Sequence, residues 1–347
     1  MPMAIQIYDR ASKKENHLVD RYGRVATKLR ISVTDRCNMQ CVYCMPRGND
    51  KWFEDRDVLT FPQIIRLGQI FAGLGIEKIR ITGGEPTLRK DIERLVGALS
   101  KISRIKSVSM TTNGLLLSSK VNQLKDAGLG GVNISLDTFK PDRFKAMTGL
   151  PHLDRVKRSI DAALDAGLEV KINTVVIRGW NDDEVVDFAK FAHDTGITVR
   201  FIEFMPLDGS GIWSHDLVFS KREMIAKIEE SLGRLEPSES KSKDATYAPA
   251  KLYSIKGSGT VGFIPSITEP FCNNCDRIRI TANGYFMTCL FENPGYHIKP
   301  MLDSDRSDSE IREHILQMIE KKPEGIAGII RTKSLRPALN MMNRIGG

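Results

Sequence analysis

Between residues 27 and 205 the chain alternates short, apolar-every-second-residue runs with amphipathic stretches at helical spacing. The first pattern predicts strands at Leu29–Val33, Ile76–Thr82, Ile105–Thr112, Gly131–Asp137, Leu168–Ile177 and Ile197–Met205. The second predicts helices at Phe61–Leu74, Leu88–Ser100, Leu153–Ala166 and Asp182–His193, with Thr60 as the N-cap of the first and Gly167 and Gly196 at turns after the last two. Such alternation implies an α/β fold with a parallel sheet, open or curved into a partial barrel. A helix at Ser220–Ser231 completes the last unit. Glu236–Ala245 reads as a polar linker or exposed loop. Short β segments follow at Lys251–Ile255, Thr260–Ile264, Arg277–Thr281 and Tyr285–Leu290, then a helix near Glu310–Lys321. The chain thus divides into an N-terminal extension (1–26), a main α/β unit (27–235) and a C-terminal region (236–347).

The strands carry an anomaly. A parallel sheet covered on both faces by helices shows nearly continuous apolar runs. Here Lys78, Arg80 and Thr82 oppose Ile79 and Ile81; Ser109, Thr111 and Asn113 oppose Val108 and Met110; Asn133, Ser135 and Asp137 oppose Ile134 and Leu136; Lys171 and Asn173 oppose Val170 and Ile172. Side chains alternate with period two, so one sheet face is polar on four strands. Either that face meets solvent, or the sheet curves around a polar, cation-bearing interior that holds a ligand. The second reading places the site toward the carboxyl ends of the strands.

Composition narrows the class. With 347 residues, 41% hydrophobic and 27% charged, the chain is long enough for a full core and is neither disordered nor fibrous. No apolar run approaches a membrane span, and residues 1–26 lack the apolar centre of a signal peptide. Reduced thiols and a cytoplasmic setting are the simplest expectation. The net charge of +8 favours an anionic partner. A basic zinc-binding RNA module would explain it, but would need aromatic stacking platforms that the 7% aromatic content, mostly set among apolar residues, does not supply.

The six cysteines fall into two sets of three: Cys37, Cys41 and Cys44 after the first strand, and Cys272, Cys275 and Cys289 in the C-terminal region. Residues 30–50 hold no histidine, and none follows Cys275 until His297. A structural zinc takes four ligands; three thiolates suit a 4Fe–4S cluster with one iron open to a substrate or cofactor. Zinc with a distant ligand remains the alternative for each set. In the second set, Ala282-Asn283-Gly284 predicts a hairpin. A two-residue turn would pair Cys289 with Ile278. A three-residue turn with a left-handed Gly284 pairs it with Arg277 and gathers Cys289, Arg277 and Arg279 on one face, and this is the expected register. Arg277 and Arg279 there suit forked hydrogen bonds to phosphate or a carbonyl.

Cys37-Asn38-Met39-Gln40-Cys41-Val42-Tyr43-Cys44 resembles the cluster motif of the radical S-adenosylmethionine superfamily, and Thr82-Gly83-Gly84-Glu85-Pro86 resembles its loop for the methionine amino group. Leu29-Arg30-Ile31-Ser32-Val33-Thr34-Asp35-Arg36-Cys37, the second cysteine set with Arg277-Ile278-Arg279, and the terminal Gly346-Gly347 resemble the GTP 3′,8-cyclase family of molybdenum cofactor biosynthesis. The resemblance implies a partial (β/α)6 barrel closed by a C-terminal β-containing domain with a second iron–sulfur cluster. It implies two 4Fe–4S clusters, S-adenosylmethionine on the first, and GTP on the second. A 5′-deoxyadenosyl radical would take hydrogen from the ribose 3′ carbon; the carbon radical would attack position 8 of guanine, and reduction plus protonation would then give 3′,8-cyclo-7,8-dihydro-GTP. Position by position, Arg30, Arg80, Thr111, Lys171, Arg277, Ile278 and Arg279 are implied to hold GTP; Tyr43, Gly84, Ser135 and Met205 to contact S-adenosylmethionine; and Gly346 and Gly347 to reach the active site. An external one-electron donor is implied, no nucleic acid or membrane partner is, and a downstream pterin synthase and a homodimer are admitted. A second two-cluster radical enzyme, such as one maturing a peptide, should lack the tail glycines and the spaced arginines.

Overall fold

The computed structural model describes residues 17–45, 47–48, 51–207, 211–238, 249–255, 257–304, 306–332 and 341–346. A two-residue hairpin, β1 (Leu18–Val19) and β2 (Val25–Ala26), precedes six consecutive parallel strands: β3 (Lys28–Ser32), β4 (Lys78–Thr82), β5 (Ser107–Thr112), β6 (Leu129–Ser135), β7 (Glu169–Val176) and β8 (Thr198–Glu203). The connections carry α1 (Phe61–Gly73), α2 (Ile92–Ser100), α3 (Val121–Asp126), α4 (Pro141–Thr148), α5 (Leu153–Asp165) and α6 (Val185–Thr195). After α7 (Lys221–Leu232) come β9 (Leu235–Pro237), β10 (Lys251–Ile255), β11 (Ser258–Ile264), β12 (Arg277–Ile280), β13 (Tyr285–Met287) and β14 (Tyr296–His297). The chain then turns helical in α8 (Lys299–Asp303), α9 (Asp308–Ile319), α10 (Ile326–Arg331) and α11 (Met342–Ile345).

Twelve of these strands form one mixed sheet, ordered β14-β13-β12-β3-β4-β5-β6-β7-β8-β11-β10-β9. The C-terminal region therefore extends both sides of the six-strand unit: β12 runs parallel to β3, and β11 parallel to β8. Outside them, β13 and β14 on one edge and β10 and β9 on the other run antiparallel. No pairing among the described residues joins β14 to β9, so the sheet stays open. It nevertheless curls. In a flat sheet β4 and β8, four strands apart, would lie about 19 Å from one another. Yet the guanidiniums of Arg80 on β4 and Arg200 on β8 repel each other, and Arg200 donates to Asn133 Oδ1 on β6.

Alternation decides which face is core. Leu29, Ile31, Ile79, Ile81, Met110, Ile134, Ile172 and Phe201 are buried under the helices. Helix α1 starts at the expected N-cap Thr60, which forms a capping box with Gln63, and α9 starts at another, Ser307 with Glu310. The stretch expected as one helix over Leu88–Ser100 is split: Pro86–Leu88 forms a single 3₁₀ turn, and Asp91 at φ 56° breaks the path before Ile92. Residues 182–184 are likewise a 3₁₀ turn before α6. The stretch read as a linker from Glu236 begins inside β9, with residues 239–248 outside the described ones. Strand β13 ends at Met287 rather than Leu290, because Glu292 Oε2 takes the Thr288 and Cys289 N–H groups (2.6 and 3.4 Å) and turns the chain out of the ladder. The hairpin register matches the three-residue turn, with Arg279 facing Met287, Ile280 facing Phe286 and Gly284 left-handed at φ 79°, but the ladder stops at Met287, so the expected pairing of Cys289 with Arg277 does not form.

The two glycines after β4 have a packing role that their ligand-facing reading does not contain. A Cβ on Gly83 would sit 2.7 Å from Thr34 O, and one on Gly84 2.6 Å from Asp35 O. The Gly84 N–H donates to Thr34 O (2.7 Å) and that of Glu85 to Arg36 O (2.8 Å). This backbone-on-backbone seam positions the loop entering Cys37. Gly84→Ala should lower unfolding free energy by about 1–3 kcal/mol in a denaturant titration, the cost of overpacking. Gly73→Ala, in a helix with nothing within 4 Å of the added carbon, should be neutral or stabilising by up to about 1 kcal/mol.

Candidate active site

The inner face of the curled sheet bounds a cavity of about 570 Å³. Its walls are alternate residues of successive strands: Lys28 and Arg30; Lys78, Arg80 and Thr82; Ser107, Ser109 and Thr111; Lys171, Asn173 and Val175; then Arg277 and Arg279 on β12. The polar face anticipated from the sequence is thus an interior. Of the residues expected with the flanking arginines, Ile278 has its side chain fully buried in the apolar core, because period two sends it to the opposite face.

Cations dominate the interior. Burial holds the Arg30 guanidinium well below its ordinary pKa, and Arg279, Arg80, Arg277 and Arg200 lower it further. Arg80 falls to about 10 through burial and Arg277, Arg279 to about 10 through burial and Arg277, and Arg200 to about 9 through burial and Arg80. Their acceptors are mostly neutral: Ser109 Oγ for Arg80 (3.3 Å), Asn133 Oδ1 for Arg200 and the Gly346 carbonyl for Arg279. Arg277 lies over the Phe271 ring and 3.7 Å from Asp276. Lys171 is paired with Glu169 (2.6 Å), both on the cavity wall. Thr82 Oγ1, Asn133 Nδ2, Asn173 Oδ1 and Arg200 Nε are buried with no hydrogen-bond partner.

The first thiol set lines one end of the cavity. Its loop is turned by Cys44 N–H and Met45 N–H on Cys41 O and pinned to the end of α4 by Gln40 N–H on Thr148 O and Val42 N–H on Met147 O. Burial raises all three thiols. Cys37 reaches about 11 with Glu85 adding to it, Cys44 about 12 with Cys37 adding, and Cys41 rises well above its ordinary value with Cys44 and Asp137 adding. Tyr43 and Ser135 also line the cavity, Tyr43 donating to Asp137 Oδ2 (2.6 Å); burial lifts Asp137 to about 6. Met205 lines it as well, packed near Leu207 and Met342.

The second set borders the cavity through its neighbours Phe271, Arg277 and Leu290 rather than lining it. Burial pushes Cys289 up to about 11. Cys275 is also buried, but Arg277 and Lys322 outweigh that and bring it below its ordinary value. Register sets the spacing of the sets. Strand β12 is parallel to β3 with Arg277 beside Lys28. Cys275 therefore precedes the strands at one end, and Cys37 follows them at the other, about 16 Å apart for five residues of strand. The cavity runs the strands' length rather than opening only at their carboxyl ends.

The C-terminal tail comes into this space. Asn343 Nδ2 donates to Asp35 O (3.1 Å), and the Gly346 carbonyl accepts from Arg279. A Cβ on Gly346, at φ 79°, would collide with Thr82 Oγ1 and lie 3.2 Å from Ser32 Cβ, so only glycine fits. Gly347 lies outside the described residues. Sequence reasoning missed Arg200, Lys28, Lys78 and Asn133. Lys78 and Asn133 stood on faces already recognised as polar, while Arg200 was legible from its alternation with Val199 and Phe201. All six cysteines are free thiols.

Comparison with known proteins agrees with the geometry. Residues 31–192 match the family model of the radical SAM superfamily, and 197–327 that of Molybdenum Cofactor Synthesis C. The chain is 41% identical over 331 residues to a GTP 3′,8-cyclase of Thermodesulfovibrio yellowstonii, covering 94% of this chain and 99% of that one. It is 40% identical over 332 residues to the mitochondrial GTP 3′,8-cyclase of Arabidopsis thaliana, covering 95% and 83%. In fold it is similar to Streptococcus suis SuiB bound to S-adenosylmethionine, with a TM-score of 0.57 at 15% identity over 92% of this chain and 75% of that one. The likeness to SuiB is one of fold alone; sequence kinship on this scale goes further, and the chain belongs to the GTP 3′,8-cyclase family of radical S-adenosylmethionine enzymes.

Proposed function

We propose that this chain converts GTP to (8S)-3′,8-cyclo-7,8-dihydroguanosine 5′-triphosphate in molybdenum cofactor biosynthesis, in a partial (β/α)6 barrel closed by the C-terminal β-containing region. The observation that carries the reading is the set of buried guanidiniums, Arg30, Arg80, Arg200 and Arg279, held mostly on neutral acceptors between two thiol sets. A triphosphate supplies the missing negative charge, through charge-assisted bonds about twice as strong as neutral ones. Thr111 and Lys171 extend that anion-binding wall.

Cys37, Cys41 and Cys44 would hold one 4Fe–4S cluster and Cys272, Cys275 and Cys289 a second; three thiols apiece, with no histidine beside them, fit a cluster whose fourth iron is open. Bound there, the clusters and S-adenosylmethionine would supply the one-electron chemistry for hydrogen removal from the ribose 3′ carbon, for its bonding to position 8 of guanine, and for the closing reduction and protonation. The chain's own contribution is placement and exclusion of water. Tyr43, Gly84, Ser135 and Met205 border the first-set end, where S-adenosylmethionine would lie. Arg277 and Arg279 mark the end where the purine would meet the second set, and Gly346, its carbonyl held by Arg279, narrows the space between. An external electron donor, a pterin synthase using the product, a cytoplasmic setting and a homodimer complete the proposal. Among the described residues no helix is long and apolar enough to cross a membrane.

Anaerobic incubation with GTP, S-adenosylmethionine and a reductant tests the reading: GTP-dependent 5′-deoxyadenosine and a cyclised nucleotide are expected. A purified protein holding zinc without iron or sulfide would defeat it. Arg277→Ala should cut kcat/KM for GTP on the order of tenfold or more, for a lost charge-assisted contact, while both clusters stay loaded. The thiol electrostatics give a pH dependence. Each thiol must lose its proton to take iron, so iron affinity rises with pH wherever the thiol stays protonated. Cys37 and Cys44, near 11 and 12, keep that dependence across the whole neutral range. In the second set Cys289, near 11, keeps it too, but Cys275, held below its ordinary value, loses it earlier. Chelator competition from about pH 6.5 to about pH 8.5 should therefore give a steeper slope for the first set, measured in Cys272→Ala/Cys275→Ala/Cys289→Ala, than for the second, measured in Cys37→Ala/Cys41→Ala/Cys44→Ala.

A further inference from the structure

The segment before β3 lies against the second thiol set, although it is some 250 residues away in sequence (the Arg24 to Cys272 separation is 248). Asp20 and Arg24 close the β1–β2 turn around Gly23 at φ 79°, and both are buried. Asp20 Oδ1 accepts the Tyr22 and Arg24 N–H groups (2.8 and 3.0 Å), and its Oδ2 takes Arg24 Nε at 2.6 Å. With Nε neutralised, the two terminal nitrogens of Arg24 point outward at fixed geometry. Nη1 donates to Cys272 O (2.9 Å) and Glu324 O (3.1 Å), and Nη2 to Pro323 O (2.7 Å). One guanidinium thus ties a cysteine of the second set to the segment 322–325.

That segment touches the sulfurs. Lys322, only 2% exposed, donates through Nζ to Cys275 O (3.2 Å) and Arg277 O (3.1 Å), with Cys275 Sγ at 4.0 Å. Gly325, at φ 102°, passes so close that a Cβ there would lie 2.8 Å from Cys272 Sγ and 3.9 Å from Cys289 Sγ. Arg24 and Lys322 consequently fix the backbone of Cys272 and Cys275 from two sides, and the Pro323-Glu324-Gly325 strip covers the thiols. The first set is held differently: its loop is pinned by backbone bonds to α4, and Asn113 Nδ2 donates to Asn38 Oδ1 (2.8 Å) with Cys37 Sγ at 3.7 Å.

We propose that Arg24, oriented by Asp20, and Lys322 are positioning residues that hold the second thiol set at its cluster-binding spacing and hold the 322–325 strip over it as a cover. The proposal rests on the second set holding a cluster. A guanidinium is needed because the three carbonyls require a planar fork; an ammonium in its place keeps the charge and loses the geometry.

The test uses the anaerobically loaded full chain, challenged with an iron chelator and a thiol-alkylating reagent, with alkylation of each cysteine followed by mass spectrometry. The two sets serve as each other's control within one sample. In Arg24→Ala, alkylation of Cys272, Cys275 and Cys289 should accelerate on the order of tenfold over the parent, for hydrogen bonds lost at a charged group, with Cys37, Cys41 and Cys44 unchanged. Arg24→Lys should behave like Arg24→Ala rather than the parent. Should Arg24→Ala fail to accumulate folded, Lys322→Met carries the same expectation. Equal acceleration of both sets would mean general loosening, and no acceleration would mean no clamp; either overturns the proposal. A parent protein with iron and sulfide on the first set alone would instead overturn the reading of the second set as a cluster site.

Discussion

Mutual repulsion among buried guanidiniums is the constraint on which the rest of this structure turns. Two unit charges about 6 Å apart at an effective dielectric near 20 repel by about 3 kcal/mol, and here the charges of Arg279, Arg80, Arg277 and Arg200 all act against that of Arg30. A flat sheet would relieve this by keeping strands β4 and β8 far apart; the curled sheet gathers the charges instead. The apolar face opposite, with Leu29, Ile31, Ile79, Ile81 and Phe201 packed under helices, supplies the burial that offsets the repulsion. The interior is therefore preorganised for a polyanion, and its orphaned groups at Thr82, Asn133, Asn173 and Arg200 remain to be satisfied by whatever fills it.

The two thiol sets share a chemistry and differ in their surroundings. The first has carboxylates nearby, Glu85 and Asp137, which reinforce burial in keeping its thiols protonated until a metal displaces the protons. The second stands beside Arg277 and Lys322, which favour thiolate at Cys275. Parallel pairing of β12 with β3 puts these environments at opposite ends of one cavity, with the arginines between them. A nucleotide bridging that length can meet cations with its phosphates and still present its base at the far end. Both described chain ends also converge on this region, residues 20–24 on the outside of the second set and residues 343–346 on the inner face of the sheet.

Much of this was legible in the sequence, for a local reason. Period-two alternation placed Arg80, Thr111, Ser135 and Lys171 on one face before any coordinates, and spacing alone separated the cysteines into two sets of three. Ala282-Asn283-Gly284 determined the hairpin register through the backbone preference of glycine. The same alternation puts the Ile278 side chain on the opposite face from its flanking arginines. The short elements α3, α4, β1, β2, β9 and β14 carry too few residues for a period to register.

What remained was decided by contacts between residues distant in sequence. That β11 and β12 flank the six-strand unit, that Gly83 and Gly84 press on Thr34–Arg36, and that Arg24 reaches Cys272 all depend on which surfaces meet after folding. The sequence by itself determined two sets of three cysteines and a polar strand face. Only the tertiary structure made that face an interior and set the two thiol sets toward its ends, because strand order and curvature arise from long-range packing that no local period encodes.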